Sequence, residues 1–231
     1  LLHPKKFEIQ VPLLRKYPGG DLVWAPFRRF EDGVSPEWES YDQSSILERS
    51  SLSEVKRPEE AAHPETALYR RSACRKLGPW NETLERWQDW EYAFRIAALG
   101  LTAIQIEGSY YALRGHDTGK IGDLEGTRKG IEANLSALQA ITSLRSWDGR
   151  PEVIGTIRRL YVQTLVRALA KGTDNQIATC LRGLKTNVRT YRDWLMGIGL
   201  SVIKGIAGRG ISGYAVRFYK KMRTGESISG S

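Results

Sequence analysis

Cysteine and long apolar runs are what this sequence has least of. Its two cysteines, Cys74 and Cys180, stand far apart, with no Cys-x-x-Cys pair and no Cys/His cluster. That spacing indicates neither a disulfide framework nor a zinc site, and a reducing cytoplasm fits it best. No run of about 18 apolar residues is present, so no membrane-spanning helix is expected. The first residues, Leu1, Leu2, His3, Pro4, Lys5 and Lys6, lack the basic-then-apolar order of a signal peptide. There is no initiating Met, and Leu1 reads as a cut point inside a longer protein. No internal repeat is visible.

What is present is an ordinary globular composition with an unusual charge. The 231 residues are 41% hydrophobic and 26% charged, enough to bury a core in one or two domains and far from the pattern of a disordered chain. The formal net charge is +9 and the isoelectric point about 9.6. Such a balance suits an anionic partner: a nucleotide-sugar pyrophosphate, nucleic acid or an acidic lipid surface. Charge alone does not choose among them.

Along the chain, residues 4–15 predict a short helix with Phe7, Val11 and Leu14 on one face. After the turn at Tyr17, Pro18, Gly19 and Gly20, residues 21–25 read as a buried strand. Residues 28–60 are polar and aperiodic and read as a long surface excursion. A compact α/β segment follows, with a strand at 66–69, a short helix at 72–77 and a stronger helix at 88–99 that carries Trp90, Phe94, Ala97 and Ala98 on one face. Strands are predicted at 102–106 and 109–113.

Beyond about residue 123 the pattern becomes helical only. Ile131, Leu135, Leu138, Ile141 and Leu144 form one stripe, and Val153, Ile157, Leu160, Leu165 and Leu169 form a second after Pro151. Thr173 and Asp174 cap a third helix bearing Ile177, Leu181 and Leu184, and Val188, Tyr191, Leu195 and Ile198 continue the periodicity. The final stretch mixes glycines with Lys204, Arg209, Arg217, Lys220, Lys221 and Arg223, which suits either a basic element on an anionic membrane surface or a solvated tail. The expected division is 1–122, 123–200 and a basic Gly-rich tail at 201–231.

The informative window begins at Leu68 and Tyr69, passes Arg70 and Arg71 into a short helix, and reaches Gly78, Pro79, Trp80, Asn81 and Glu82. Gln88 and Asp89 then open a helix that runs through Arg95 to Gly100. This order and spacing resemble family-2 glycosyltransferases of the GT-A fold. There a strand ending in an Arg pair leads to a short helix, then Gly-Gly-Phe-Asp-Glu, then Glu-Asp at the start of a helix running to an Arg and a Gly. The departures are Pro79 for the second Gly, Trp80 for Phe, Asn81 for Asp and Gln88 for Glu. Residues 1–11 are similar to the segment that follows the family's Asp-x-Asp metal motif, a triplet this sequence lacks. The resemblance covers about residues 1–120 and implies an α/β fold: the acceptor-side part of a GT-A sheet, followed by an all-helical region, with the nucleotide-binding half outside the chain.

It also implies roles. Asp89 stands where the family holds its catalytic base, which takes the proton from an acceptor hydroxyl in an inverting transfer; the plainer role for such an Asp is to cap its helix. Trp87, Gln88 and Trp90 flank the acid as substrate-contact candidates, since aromatic faces bury the apolar side of a pyranose; Trp90 shares its helix stripe with Phe94 and also suits the core. Arg70 and Arg71 are candidates either for phosphate or for stabilising the fold, and strand alternation would aim only one of them at a site. Arg114 and His116 resemble an Arg-x-His element near the donor pyrophosphate, with His116 as a metal ligand, while the neighbouring Asp117, Thr118 and Gly119 equally suit a solvated turn. His3 and His63 read as surface residues. The full enzyme is expected to use a divalent metal (Mg or Mn) and a nucleotide-sugar donor, to act on a glycan or lipid-linked acceptor, and to work in the cytoplasm or at the inner face of a membrane. This fragment alone is expected to be inactive. The competing reading is a non-catalytic basic protein for nucleic acid or an anionic membrane surface. Its scattered Lys and Arg residues match no nucleic-acid module, so no specific nucleic-acid partner is expected.

Overall fold

A computed structural model describes residues 1–31, 35, 36, 38, 46, 50–56, 58, 63–115, 126–144, 147 and 149–186. The fold is mixed α/β, with six strands and six α-helices among these residues. In chain order they are α1 (Lys6–Lys16), β1 (Leu22–Trp24), β2 (Arg28–Phe30), β3 (Ser51–Glu54), β4 (Leu68–Tyr69), α2 (Arg71–Leu77), α3 (Gln88–Ala98), β5 (Thr102–Gln105), β6 (Ala112–Arg114), α4 (Arg128–Ser143), α5 (Pro151–Lys171) and α6 (Asp174–Thr186). A 3-10 turn, Pro64–Thr66, leads into β4.

Four strands form one mixed sheet in the order β3-β5-β1-β4. β1 runs parallel to β5, with Leu22 opposite Ala103 and Val23 opposite Ile104, while β4 is antiparallel to β1 and β3 antiparallel to β5. β2 and β6 pair in parallel as a second, two-stranded sheet. Because successive side chains on a strand point to opposite faces, Leu22 and Ala103 pack with Ala73, Leu77, Tyr92 and Ile96 of α2 and α3. Val23 and Ile104 pack on the other face with Ile9 and Leu13 of α1. Gly20 is required where the chain enters β1: a Cβ there would stand 2.7 Å from the Ile104 side chain.

α3 has two buried faces. Tyr92, Ala93 and Ile96 meet the sheet, whereas Phe94 and Ala97 join the helical core with Ile131, Leu138, Ile157 and Leu165. Trp90 touches both cores. The helices behind it follow the sequence signals closely: the Thr127 hydroxyl caps α4 by accepting from the Gly130 N–H, Pro151 opens α5, and Thr173 and Gln176 form a reciprocal capping box at α6.

Three expectations need correction. Residues 28–60 are not one structureless excursion, since they contribute β2 and β3 and bury Ile46 and Val55. The buried face of α1 is Lys6, Ile9, Gln10 and Leu13, and Phe7 is exposed. The polar pair Lys6 and Gln10 hides that stripe from any hydrophobic pattern. Tyr111 forms only an isolated bridge to Leu2, so the strand expected at 109–113 narrows to β6. The predicted helix through Val188 and Ile198, and the tail, lie outside the described residues. Among the described residues, no helix is long and apolar enough to cross a membrane.

Candidate functional site

Four separate segments converge at the carboxyl end of the parallel pair β1 and β5. The β1–β2 connection brings Phe27 and the β5–β6 connection brings Tyr111, and the Arg28 N–H donates to the Tyr111 carbonyl at 3.1 Å. Because β4 runs antiparallel to β1, the turn preceding it, with His63 and Glu65, lies at the same end. α3 leads into β5, so its N-terminus and Asp89 lie there too. In open α/β sheets this is the end at which ligands collect.

The start of α3 is backbone-strained. Trp87 precedes the helix in the left-handed region at φ 59°, the one non-glycine residue with positive φ among those described. Its indole packs on the helical core, and its carbonyl accepts the Glu91 N–H at 2.9 Å. Asp89 is then the second helical residue, and its Oδ1 accepts from the Trp90 N–H at 2.9 Å. Trp87, with no capping side-chain bond, occupies the cap position. Burial pushes the Asp89 carboxyl above the usual carboxylate range; the Trp90 N–H and the nearby His63 draw it back, and Glu65 adds to the rise.

The turn that carries His63 and Glu65 is tied down from two sides. The N–H and hydroxyl of Thr66 both donate to the His63 carbonyl, at 2.9 and 2.6 Å. The Thr66 carbonyl accepts in turn from Lys6 Nζ at 3.2 Å and Gln10 Nε2 at 3.3 Å, both buried on α1, while Lys6 also donates to Gln10 Oε1. His63 stands edge-on to Phe27, ring centroids 4.4 Å apart, and Phe27 lies 6.4 Å from Tyr111. Burial raises the Tyr111 phenol, and Glu65 raises it further. Neither His3 nor His63 is a plain surface residue: His3 is buried between Trp38 and Tyr110, with Nδ1 accepting the Lys5 N–H.

The other predicted site residues fall into different places. Trp90 bridges two cores and is half-buried by them. Gln88 Nε2 donates to the Leu84 carbonyl, closing the loop before α3. Arg70 is directed away from a phosphate role: Nε donates to Gly20 O at 2.6 Å, and Nη2 donates to Tyr17 O at 2.9 Å and to Leu14 O, so it clasps the end of α1. Arg71 is exposed at the first turn of α2, and Arg114 is exposed at the end of β6. His116 lies outside the described residues. Among the described residues no three His, Cys, Asp or Glu side chains form a metal-binding group.

Arg95 accounts for the shape of the loop. It pairs with the buried Glu91 at 2.8 Å and donates to the carbonyls of Leu77 and Pro79, both at 2.7 Å. Gly78, at φ 74°, ends α2 between them. Trp80 stacks on Tyr92, centroids 4.4 Å apart, with the Arg95 guanidinium 4.9 Å from that ring. The residues that sequence spacing missed are His63, Glu65, Phe27, Tyr111 and Lys6; each reaches the site through tertiary pairing and carries no local motif. No family model matches the chain, and no curated protein matches it at a significant level.

Proposed function

We propose that the chain carries the acceptor side of an inverting, nucleotide-sugar-dependent glycosyltransferase of the GT-A type, with Asp89 as the catalytic base. The observation that carries this reading is the setting of Asp89. It is a half-buried carboxylate of raised basicity at the first turn of a helix, at the carboxyl end of a parallel strand pair, behind a strained residue. A base works best when its pKa approaches the operating pH, and burial with a second carboxylate nearby moves Asp89 in that direction.

In the reaction, the acceptor hydroxyl gives its proton to the Asp89 carboxylate while its oxygen bonds to the anomeric carbon of the donor. The bond from that carbon to the phosphate oxygen breaks, and its electron pair leaves with the nucleoside diphosphate. The donor is held by residues outside this chain. The acceptor is a glycan or a lipid-linked glycan, met on the cytoplasmic side. A divalent metal would belong to that donor half, and no step here runs through it.

The test is transfer of labelled sugar from a panel of nucleotide-sugars by the gene product including any segment preceding Leu1, together with the coding sequence of that segment. An Asp-x-Asp just upstream and transfer dependent on Asp89 support the reading. An unrelated upstream domain, or transfer indifferent to Asp89, overturns it.

A further inference from the structure

Phe27 stands edge-on to His63, ring centroids 4.4 Å apart, and 6.4 Å from Tyr111, and among the described residues none of the three belongs to a hydrophobic core. Each is half-buried. Rings that satisfy no core and keep part of their faces open form a binding wall more readily than a structural one. They come from three connections, all at the carboxyl end of β1 and β5. Polar groups surround them: the Arg29 guanidinium lies 5.7 Å from the Phe27 ring, and the Glu65 carboxylate is close enough to act on both Tyr111 and Asp89.

From this arrangement we infer that the wall formed by Phe27, His63 and Tyr111 is the acceptor subsite and receives a neutral pyranose ring beside Asp89. The inference rests on the reading of Asp89 as the base and adds to it the residues that hold the sugar. Aromatic faces take the apolar C–H side of the pyranose. Its hydroxyls find an acceptor in Glu65, a donor in Arg29, and either in the His63 imidazole. The Glu65 carboxylate disfavours an anionic sugar at this position. Trp87 and Trp90 are excluded as the main platform because their rings pack on the helical core. Of the segments that hold the sugar beside Asp89, the turn bearing His63 and Glu65 is fixed to α1 through Lys6 and Gln10, which gives the acceptor hydroxyl a firm support.

Saturation-transfer NMR on the full chain tests this, with methyl β-D-glucopyranoside, maltose, cellobiose and N,N′-diacetylchitobiose as probes. Transfer to at least one of the four is expected. It should become about five- to tenfold weaker in Phe27→Leu and in Tyr111→Leu, with far-UV circular dichroism unchanged. Trp80→Leu, at the exposed stack on Tyr92, should leave it unaltered. Absence of transfer to all four probes, or transfer indifferent to both leucine variants, overturns the subsite. Asp89→Asn should retain sugar binding. Binding retained in that variant without any effect on glycosyl transfer would overturn the base and leave the subsite standing.

Discussion

The ammonium of Lys6 donates to the carbonyl of Thr66 at 3.2 Å, inside the protein and with Gln10 as its companion. This contact joins α1 to the turn that holds His63 and Glu65, and it does so with a buried charge. Burial pushes Lys6 down from the ordinary lysine value of 10.5 to about 8. Below about pH 8 the folded and unfolded chains both carry the proton, and the full cost of burying it is present. Between about 8 and 10.5 the unfolded chain holds more protons than the folded one, so stability rises with pH through that window. Thermal melts of wild type should rise across this range by more than those of Lys6→Met, which has no charge to bury. Parallel melting curves for the two proteins would contradict the assignment.

The neighbours of Asp89 act on it with opposite signs, and each can be removed separately. Glu65→Gln should lower the Asp89 titration midpoint, because the like charge that raises it is gone. His63→Gln should raise the midpoint, because the interaction with His63 that lowers it is lost. Carboxyl ¹³C NMR titration follows Asp89 directly, and shifts of the same sign in both variants would break the proposed cluster.

Arg95 holds the loop before α3 from inside the fold. Arg95→Ala leaves the Glu91 carboxylate buried without its partner and releases the carbonyls of Leu77 and Pro79. Truncating one member of a buried pair costs about 3–5 kcal/mol. Urea denaturation should show a loss of that order, with Glu91→Gln milder because the Arg95 charge left behind is less buried than Glu91 and keeps its bonds to the Leu77 and Pro79 carbonyls.

The two cysteines should separate cleanly under a thiol reagent. Cys74 is exposed on α2, whereas Cys180 is buried in the helical core and burial pushes its thiol up to about 12. One equivalent should react in the native protein and a second only after unfolding. Fast reaction of both would show that α6 does not pack as described.

Much of the helical half is legible in the sequence because its signals are local. Pro151 and Thr173 mark helix starts by their own chemistry, and the apolar stripes of α4 and α5 lie where their periodicity puts them. β2 and β3 are illegible because their stability comes from pairing with β6 and β5, distant in the chain, while their own residues are polar. The α1 face is misread for a similar reason: Lys6 and Gln10 are buried through bonds to Thr66, which no periodicity encodes. At the candidate site, the flanking pattern marks where the helix bearing Asp89 begins. His63 and Glu65 carry no such mark, since only the antiparallel direction of β4 brings them to the same end of the sheet. For Arg70 the sequence leaves phosphate binding and fold stabilisation both open, and its donors close on the carbonyls of Gly20, Leu14 and Tyr17, the structural role.

The most direct test of the central claim is the rate of sugar transfer from a nucleotide-sugar by the complete gene product carrying Asp89→Asn, compared with wild type under saturating acceptor. Loss of a positioned general base costs about a hundredfold to ten-thousandfold in rate. A loss in that range, with acceptor binding and melting temperature preserved, is the predicted result. Transfer by the variant at a rate within about threefold of wild type, well short of that loss, would contradict the assignment of Asp89 as the base.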